Sequence, residues 1–362
     1  MNERTEQMEK IGFGVLGAGM ISGIHADALR KSEKGKLVAI CDVRTENAQK
    51  LADEYAPDAK VYSDFDQMLA DPAVQVVNIV TPNHLHTQFV LKAAAAGKHV
   101  LCEKPPAMSL AETDQMIEAC KKAGVKLGIF VQSRMREPMR YMKAALEEGR
   151  FGKVLRVDVQ MKWFRNADYY KMDAWRSNRK CGAGVTIQHA FHYIDILQYL
   201  MGRGASVDAT MCNLSHPDVA LEDTLDARIM FANGVRGYVQ ASTALWPGND
   251  VRIEVYGTDG CAVMAGTAMK EWKFKDERPE DEKIRQSGSS AATAGGDPKA
   301  LPSEDHQYVI DDCVDAIREG REVCIPCESV RGTLELALAM YKSDKEKTPI
   351  AIPFENEAEI WD

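Results

Sequence analysis

The chain has 362 residues, 27% of them charged and 45% hydrophobic, and a formal net charge of -9. That length exceeds one hydrophobic core and suits two domains, expected at residues 1–132 and 133–362. The acidic balance, without a basic stripe, excludes a nucleic-acid surface, and no apolar run reaches the roughly 20 residues of a bilayer span. Residues 1–10 are polar and lack a signal-like apolar core, and the nine cysteines, an odd number, read as reduced thiols. A cytoplasmic location is expected.

Residues 11–16 form a first apolar run, followed by Gly17-Ala18-Gly19-Met20-Ile21-Ser22, a helical stretch over 25–31 and a second strand over 37–41 that ends in Asp42. Strand, glycine turn, helix, strand and acid make up the dinucleotide-binding fingerprint. Gly17 makes the tight turn, Gly19 lets the backbone approach a pyrophosphate, and Met20 and Ile21 open the helix whose unpaired N–H groups face it. A literal GxGxxG at 12–17 lies inside the strand, where it cannot open a helix. Asp42 suits the ribose hydroxyls of NAD and repels the 2′-phosphate of NADP, whereas Arg44 would tolerate that phosphate.

The alternation continues through a helix at 48–55, a buried strand at 76–80 that runs into Thr81-Pro82-Asn83-His84-Leu85-His86, and a helix at 87–96 closed by Gly97. A strand at 100–103, a helix at 109–123 stopped by Gly124 and a strand at 127–131 follow. This order predicts an α/β fold with a doubly wound parallel sheet. Turns at the strand carboxyl ends should line a cofactor crevice, which nominates Thr81, Asn83, His86, Glu103, Lys104 and Gln132. Glu103-Lys104-Pro105 ends its strand there. An alcohol being oxidised needs a cation beside the hydroxyl that loses its proton, and Lys104 is the candidate.

Beyond residue 133, runs at 152–163, 223–241 and 251–257 read as strands with Gly-rich turns, and residues 270–302 read as a long exposed excursion. Cys324-Ile325-Pro326-Cys327 lacks the second CxxC of a zinc site and the βαβ setting of a redox pair, and falls in a short strand between two helices. After Gly182-Ala183-Gly184 a helix runs to residue 200. At 3.6 residues per turn Gln188, His192 and Asp195 share one face, and His189 is turned about 100° away. His192 is suited to take a proton at neutral pH, although a buried core histidine is the plainer alternative. No metal is expected: His189, His192 and Asp195 have no further ligands nearby. Just before this helix, Trp163-Phe164-Arg165, Tyr169-Tyr170 and Trp175-Arg176 form an aromatic and arginine cluster. It suits the faces and hydroxyls of a sugar, with core packing the alternative for the tyrosines.

Gly17-Ala18-Gly19, Thr81-Pro82-Asn83 with His86, Gly97-Lys98-His99-Val100, Glu103-Lys104-Pro105, Trp175-Arg176 and Gly182-Ala183-Gly184 with His192 and Asp195 resemble, as an ordered set, the Gfo/Idh/MocA oxidoreductases. The resemblance implies a Rossmann domain followed by an α+β domain with a large open, mostly antiparallel sheet. It implies NAD as cofactor, with Trp175 and Arg176 added to its binding residues. Lys104, Gln188 and His192 are implied as the catalytic group, and Trp163, Arg165, Tyr169, Tyr170, Gln188, His189 and His192 as the substrate side. Gln188 departs from the aspartate common in sugar and inositol members, and an amide cannot carry a proton. The aromatic segment resembles the branch oxidising hexopyranose rings at C3. The expected activity is hydride transfer between a ring secondary alcohol of a sugar or glycoside and NAD. Inositol or nucleotide-sugar oxidation, and a redox glycosidase that oxidises C3 transiently, are the alternatives, ahead of a non-enzymatic sensor. A homo-oligomer (dimer, tetramer or higher) is the expected assembly.

NAD is therefore expected to bind more tightly than NADP in a titration of the purified protein. A smaller dissociation constant for NADP would overturn the role given to Asp42 and pass it to Arg44.

Overall fold

The computed structural model describes residues 9–182, 184–288, 302–355 and 360–361, and the chain divides into two compact units. The first contains the residues up to Glu103, Asp114–Phe130 and Pro302–Cys327. Its strands are β1 (Ile11–Leu16), β2 (Gly35–Cys41), β3 (Lys60–Tyr62), β4 (Val76–Ile79), β5 (His99–Glu103) and β6 (Leu127–Phe130). They pair in the order β3-β2-β1-β4-β5-β6, all parallel. This is the doubly wound nucleotide-binding order, whose switch point lies between β1 and β4. β1 and β4 are buried along their whole length, as strands covered on both faces must be.

Helices Ser22–Lys31, Thr45–Tyr55, His86–Ala95 and Leu110–Ala123 follow the expected alternation. Gly97 and Gly124 adopt positive φ just past two of them. β3 and the helix Phe65–Ala70 were not anticipated, because three and six residues are too short to establish a period. The Asp64 side chain caps that helix, accepting from the Asp66 amide at 2.8 Å.

One boundary differs from expectation. Residues 302–327 belong with the first unit, so a single cut after residue 132 does not separate the two. Helix Glu304–Glu319 buries Val309, Ile310, Cys313, Val314 and Ala316, and the Ser303 hydroxyl before it donates to Asp27 at 2.6 Å. An amphipathic helix must bury its apolar stripe somewhere, and sequence position does not say where. The Cys324–Cys327 segment makes one bridge to β6, at Gly128 and Pro326, with the Ile129 amide donating to Ile325 O at 3.0 Å.

In the second unit β7 (Val154–Lys162), β8 (Gly204–Cys212), β9 (Thr224–Phe231), β10 (Arg236–Ser242), β11 (Arg252–Gly257), β12 (Gly260–Ala265), β13 (Ala268–Phe274) and β14 (Ile350–Ala351) form one sheet. The order is β13-β12-β11-β7-β10-β9-β8-β14, antiparallel except for the pair β7 and β10. The burial of β9 alternates strictly, with Leu225, Ala227, Ile229 and Phe231 inside, the signature of a sheet with one face packed. The expected excursion at 270–302 is corrected by β13 and by helix Asp281–Arg285. The Asp281 carboxylate receives Arg150 at 2.8 Å and Trp272 Nε1 at 2.6 Å. Residues 289–301 lie outside the described residues.

Asp195, which the sequence places on the helix face of Gln188 and His192, is fully buried. Arg134 grips it from Nε and Nη2 at 2.6 and 2.5 Å, and Thr333 Oγ1 donates at 2.8 Å. The pair ties helix Phe191–Met201 to the 3-10 turn Gln132–Met135 and to helix Cys327–Glu346. Asp195→Ala leaves the buried Arg134 guanidinium without its carboxylate, and should cost about 3–5 kcal/mol of stability in urea unfolding. A loss below about 1 kcal/mol, the scale of an exposed pair, would contradict this.

Candidate active site

The cofactor side is built within the first unit. Gly17 sits at φ 101°, and a Cβ there would meet Val80 O at 2.5 Å, so the turn admits glycine alone. A Cβ on Gly19 would meet nothing within 4 Å, which leaves the backbone open to a bound phosphate. Asp42 Oδ2 accepts from the Ala18 amide at 2.7 Å and Oδ1 from the Arg44 amide at 2.8 Å. The same carboxylate that would take ribose hydroxyls thus pins the glycine turn. Met20 and Ile21 stand half-buried at the helix N-terminus, and the Arg44 side chain is exposed. Strand order, open turn and fixed carboxylate fit NAD.

Further along the sheet edge, Asn83 is buried and Thr81 half-buried. His86 is fully buried and its Nε2 meets Thr81 O at 3.0 Å. It shapes its turn and has no free surface to offer a cofactor. Glu103 lies 2.9 Å from His25 Nε2, and both are buried, with the His306 ring 5.0 Å from that of His25. This contact anchors the end of β5 to helix Ser22–Lys31. Sequence reading passed over His25, although it falls one helical turn after Ser22.

Lys104, the next residue, is grouped with the second unit. Its ammonium donates to the main-chain carbonyl of Gln188 at 2.7 Å. The helix carrying Gln188 is not a uniform α-helix: Val185–His189 is a π-helical turn, and the α-helix begins at Phe191. Inserting a wide turn rotates the residues on either side by about 100° relative to a continuous helix. His189, read from the sequence as pointing off the shared face, accordingly turns into the cluster. Its ring lies 6.2 Å from Trp163 and 5.6 Å from Tyr169, and the residue is only 6% exposed. Burial first, then the charges of Arg165, Lys104, Arg176 and His192, push its pKa well below the usual histidine value. His189 is a neutral imidazole.

Around it the sequence-nominated residues divide. Trp163 and Arg165 point the same way because their backbone continues the strand ladder, Trp163 N to Ser242 O and Arg165 N to Thr243 O, each at 2.8 Å. The Tyr169 hydroxyl receives Gln188 Nε2 and Arg176 Nη1, each at 2.9 Å. The Arg176 guanidinium is stacked 4.7 Å from Trp175 and 4.8 Å from Tyr169. Arg176, nominated for the cofactor, therefore joins the cluster of Tyr169 and Gln188. Tyr170 does not join it. It is 3% exposed, hydrogen-bonded to Thr243 Oγ1 at 2.9 Å and packed 4.7 Å from His216, so it is a core residue. Gln132 is buried beside Arg134, and His192 is half-buried, its ring 6.5 Å from Tyr193.

Two supports were missed from sequence. Glu222 is buried beneath the π turn, accepting from Tyr341 at 2.6 Å and from the Thr186 amide at 3.2 Å. Burial raises its pKa. Gly184, at φ 110°, is the only residue type that fits over it, since a Cβ would lie 2.3 Å from Glu222 Oε1. His216 bridges Asp223 at 2.7 Å and Arg165 O at 2.8 Å, holding the Arg165 backbone. The adjacent acids Glu222-Asp223 at the head of a strand were the available signal.

Residues 11–131 match the oxidoreductase family with NAD-binding Rossmann fold, and residues 139–263 match the GFO/IDH/MocA C-terminal domain. Together they span more than half of the chain. The protein belongs to the Gfo/Idh/MocA family. It is an NAD-dependent oxidoreductase. A myo-inositol 2-dehydrogenase of Thermotoga maritima is 31% identical over 68% of this chain and 73% of its own length. A 2,7-anhydro-N-acetylneuraminate hydratase of Mediterraneibacter gnavus is 30% identical over 70% and 67% respectively. The WlbA dehydrogenase from Bordetella pertussis, solved with NADH and UDP-GlcNAcA, superposes with a TM-score of 0.84 at 29% identity, covering 96% of this chain and all of that one. Among the described residues of this family member, no helix is long and apolar enough to cross a membrane.

His189 gives a pH test. Its folded pKa is depressed, so below about pH 6.5 the unfolded chain binds a proton that the folded chain does not, and stability falls as pH falls. That loss amounts to about 1.4 kcal/mol per pH unit until the folded pKa is reached. His189→Gln should flatten the stability profile between about pH 6.5 and 5 in denaturant titrations. An unchanged slope would mean that His189 is already protonated in the fold.

Proposed function

We propose that this oxidoreductase acts on a ring secondary alcohol of a sugar or glycoside, at C3 of a hexopyranoside ring, with Lys104, His192 and Gln188 as the reacting group. The observation that carries the reading is the Lys104 ammonium, held against Gln188 O at 2.7 Å beside a wall of Trp163, Tyr169 and His189. Aromatic faces against C–H surfaces with polar groups at the edge suit a sugar ring. The inositol dehydrogenase similarity supports a ring polyol as substrate class.

NAD, when bound, supplies the hydride acceptor, and Gly17, Gly19, Met20, Ile21, Asp42 and Asn83 are the residues that would hold it. An imidazole nitrogen of His192 takes the proton that leaves the substrate hydroxyl. Lys104 lowers the energy of the developing alkoxide with a charge that needs no reorientation, because Gln188 O already fixes it. Gln188, steadied by Tyr169, orients the substrate and carries no proton. The buried walls keep water from the reacting carbon.

A second reading has its own support. The similar anhydro-sialate hydratase has a name that states no net oxidation. In this reading the same residues oxidise C3 transiently, the 3-keto group acidifies the C2–H so that its loss breaks the C1–O bond and expels the C1 substituent, and after water adds across the double bond the hydride returns to C3. A homo-oligomer, measured by light scattering, is part of the proposal.

Lys104→Ala should lose about 10²–10⁴ in turnover and keep its NAD affinity, the scale of a lost transition-state donor. His192→Ala should match it, with Gln188→Ala milder, in single turnover with a C3-deuterated glycoside. Normal hydride transfer in Lys104→Ala would end this assignment. Net NADH in multiple turnover supports dehydrogenation; product without net NADH supports the transient route.

A further inference from the structure

We infer that the substrate of this site carries a carboxylate, which Arg176, Trp163 and the Tyr169 hydroxyl recognise with Arg165 adding its charge; the inference rests on the proposed sugar chemistry and narrows its substrate class. The first observation is a set of buried polar atoms without hydrogen-bond partners. Trp163 Nε1, Arg176 Nε, both ring nitrogens of His189 and Gln188 Oε1 are in this state. Trp163, Arg176 and His189 are each more than nine-tenths buried, at 7%, 7% and 6% exposure. A buried polar group without a partner destabilises the fold, so such groups are expected where a ligand completes them.

The second observation is what those atoms can do. Trp163 Nε1 and Arg176 Nε are donors only, and neutral His189 offers one donor and one acceptor. The Tyr169 hydroxyl already accepts from both Gln188 and Arg176, so its own hydrogen points elsewhere. Gln188 Oε1 and one nitrogen of His189 are the acceptors set against four donors. A neutral hydroxyl brings a hydrogen along with each oxygen, whereas a carboxylate accepts at two oxygens and brings none.

Charge points the same way. Arg165 lies 5.1 Å from the Trp163 ring and 5.7 Å from Tyr169, and Arg176 lies 4.8 Å from Tyr169, so two guanidiniums flank one phenol, with Lys104 at Gln188 O. The Asp173 carboxylate stands 3.6 Å from Arg176 Nε, on a side chain that is 34% exposed. Gln188 adds no negative charge. An anionic sugar would complete both the donors and the charge, with a planar guanidinium suited to a planar carboxylate.

The test is calorimetric titration of the NAD-loaded protein with sugar pairs that differ only in that group: methyl glucuronide against methyl glucoside, and methyl galacturonide against methyl galactoside. A uronide should bind at least about 10-fold tighter than its neutral partner, the scale of one charge-assisted hydrogen bond. Arg176→Gln should abolish that advantage by weakening the uronides at least about 10-fold more than the neutral glycosides, and Arg176→Lys should restore part of it. NAD affinity of each variant checks that it is folded. Equal affinities within both pairs, or an Arg176→Gln variant that weakens uronide and glycoside alike, would overturn the inference. NADH formation is read separately. A uronide preference without oxidation would sink the C3 chemistry and leave the carboxylate site standing.

Discussion

A single widened turn holds together the polar cluster of the second unit. Over Val185–His189 the helix takes i→i+5 spacing before settling into α-geometry at Phe191. The extra residue presents Gln188 O to Lys104, aims the Gln188 amide at Tyr169 and brings His189 inward. The turn is held from below, where Glu222 takes the Thr186 amide and Tyr341 and leaves no volume for a side chain at Gly184. Irregular backbone costs free energy, and here it persists because buried polar contacts over-determine it.

The charged residues of the second unit separate into those that are spent and those that are poised. Arg134 with Asp195, and Arg150 with Asp281, are buried ion pairs in which a close carboxylate meets each guanidinium. They hold elements together, and their charge is met within the protein. Arg176 is different: one guanidinium nitrogen serves Tyr169, while the Asp173 carboxylate stands 3.6 Å from Nε. The same residue type is a brace where a carboxylate lies within hydrogen-bond distance, and the distance to the acid tells the two settings apart.

The first sheet was legible because its signals are local. Apolar runs, glycine turns and the acid at Asp42 occur within about 30 residues of each other and carry their own physical reasons. Lys104, Gln188 and Tyr169 could be nominated from resemblance, yet their mutual contacts span from 19 to 84 residues of chain. Asp195 and His189 show where periodicity fails. A fixed 3.6-residue wheel placed Asp195 on the face of Gln188 and His192 and turned His189 away, whereas the π turn brings His189 into the cluster and Arg134 holds Asp195 in the core. Tyr170 was ambiguous for a simpler reason: adjacent tyrosines on a five-residue helix face different ways, and nothing in their order says which one is core.

The return of helix Glu304–Glu319 to the nucleotide-binding unit has a consequence for how such chains can be recombined. An amino-terminal fragment ending near residue 132 would lack the partner for its own apolar surface and would also lose the hydrogen bond between Asp27 and Ser303. Exchanging cofactor-binding units between relatives therefore needs breakpoints on both sides of residues 302–327 as well as the cut near residue 131. A gene fusion that respects one border alone yields two incomplete cores.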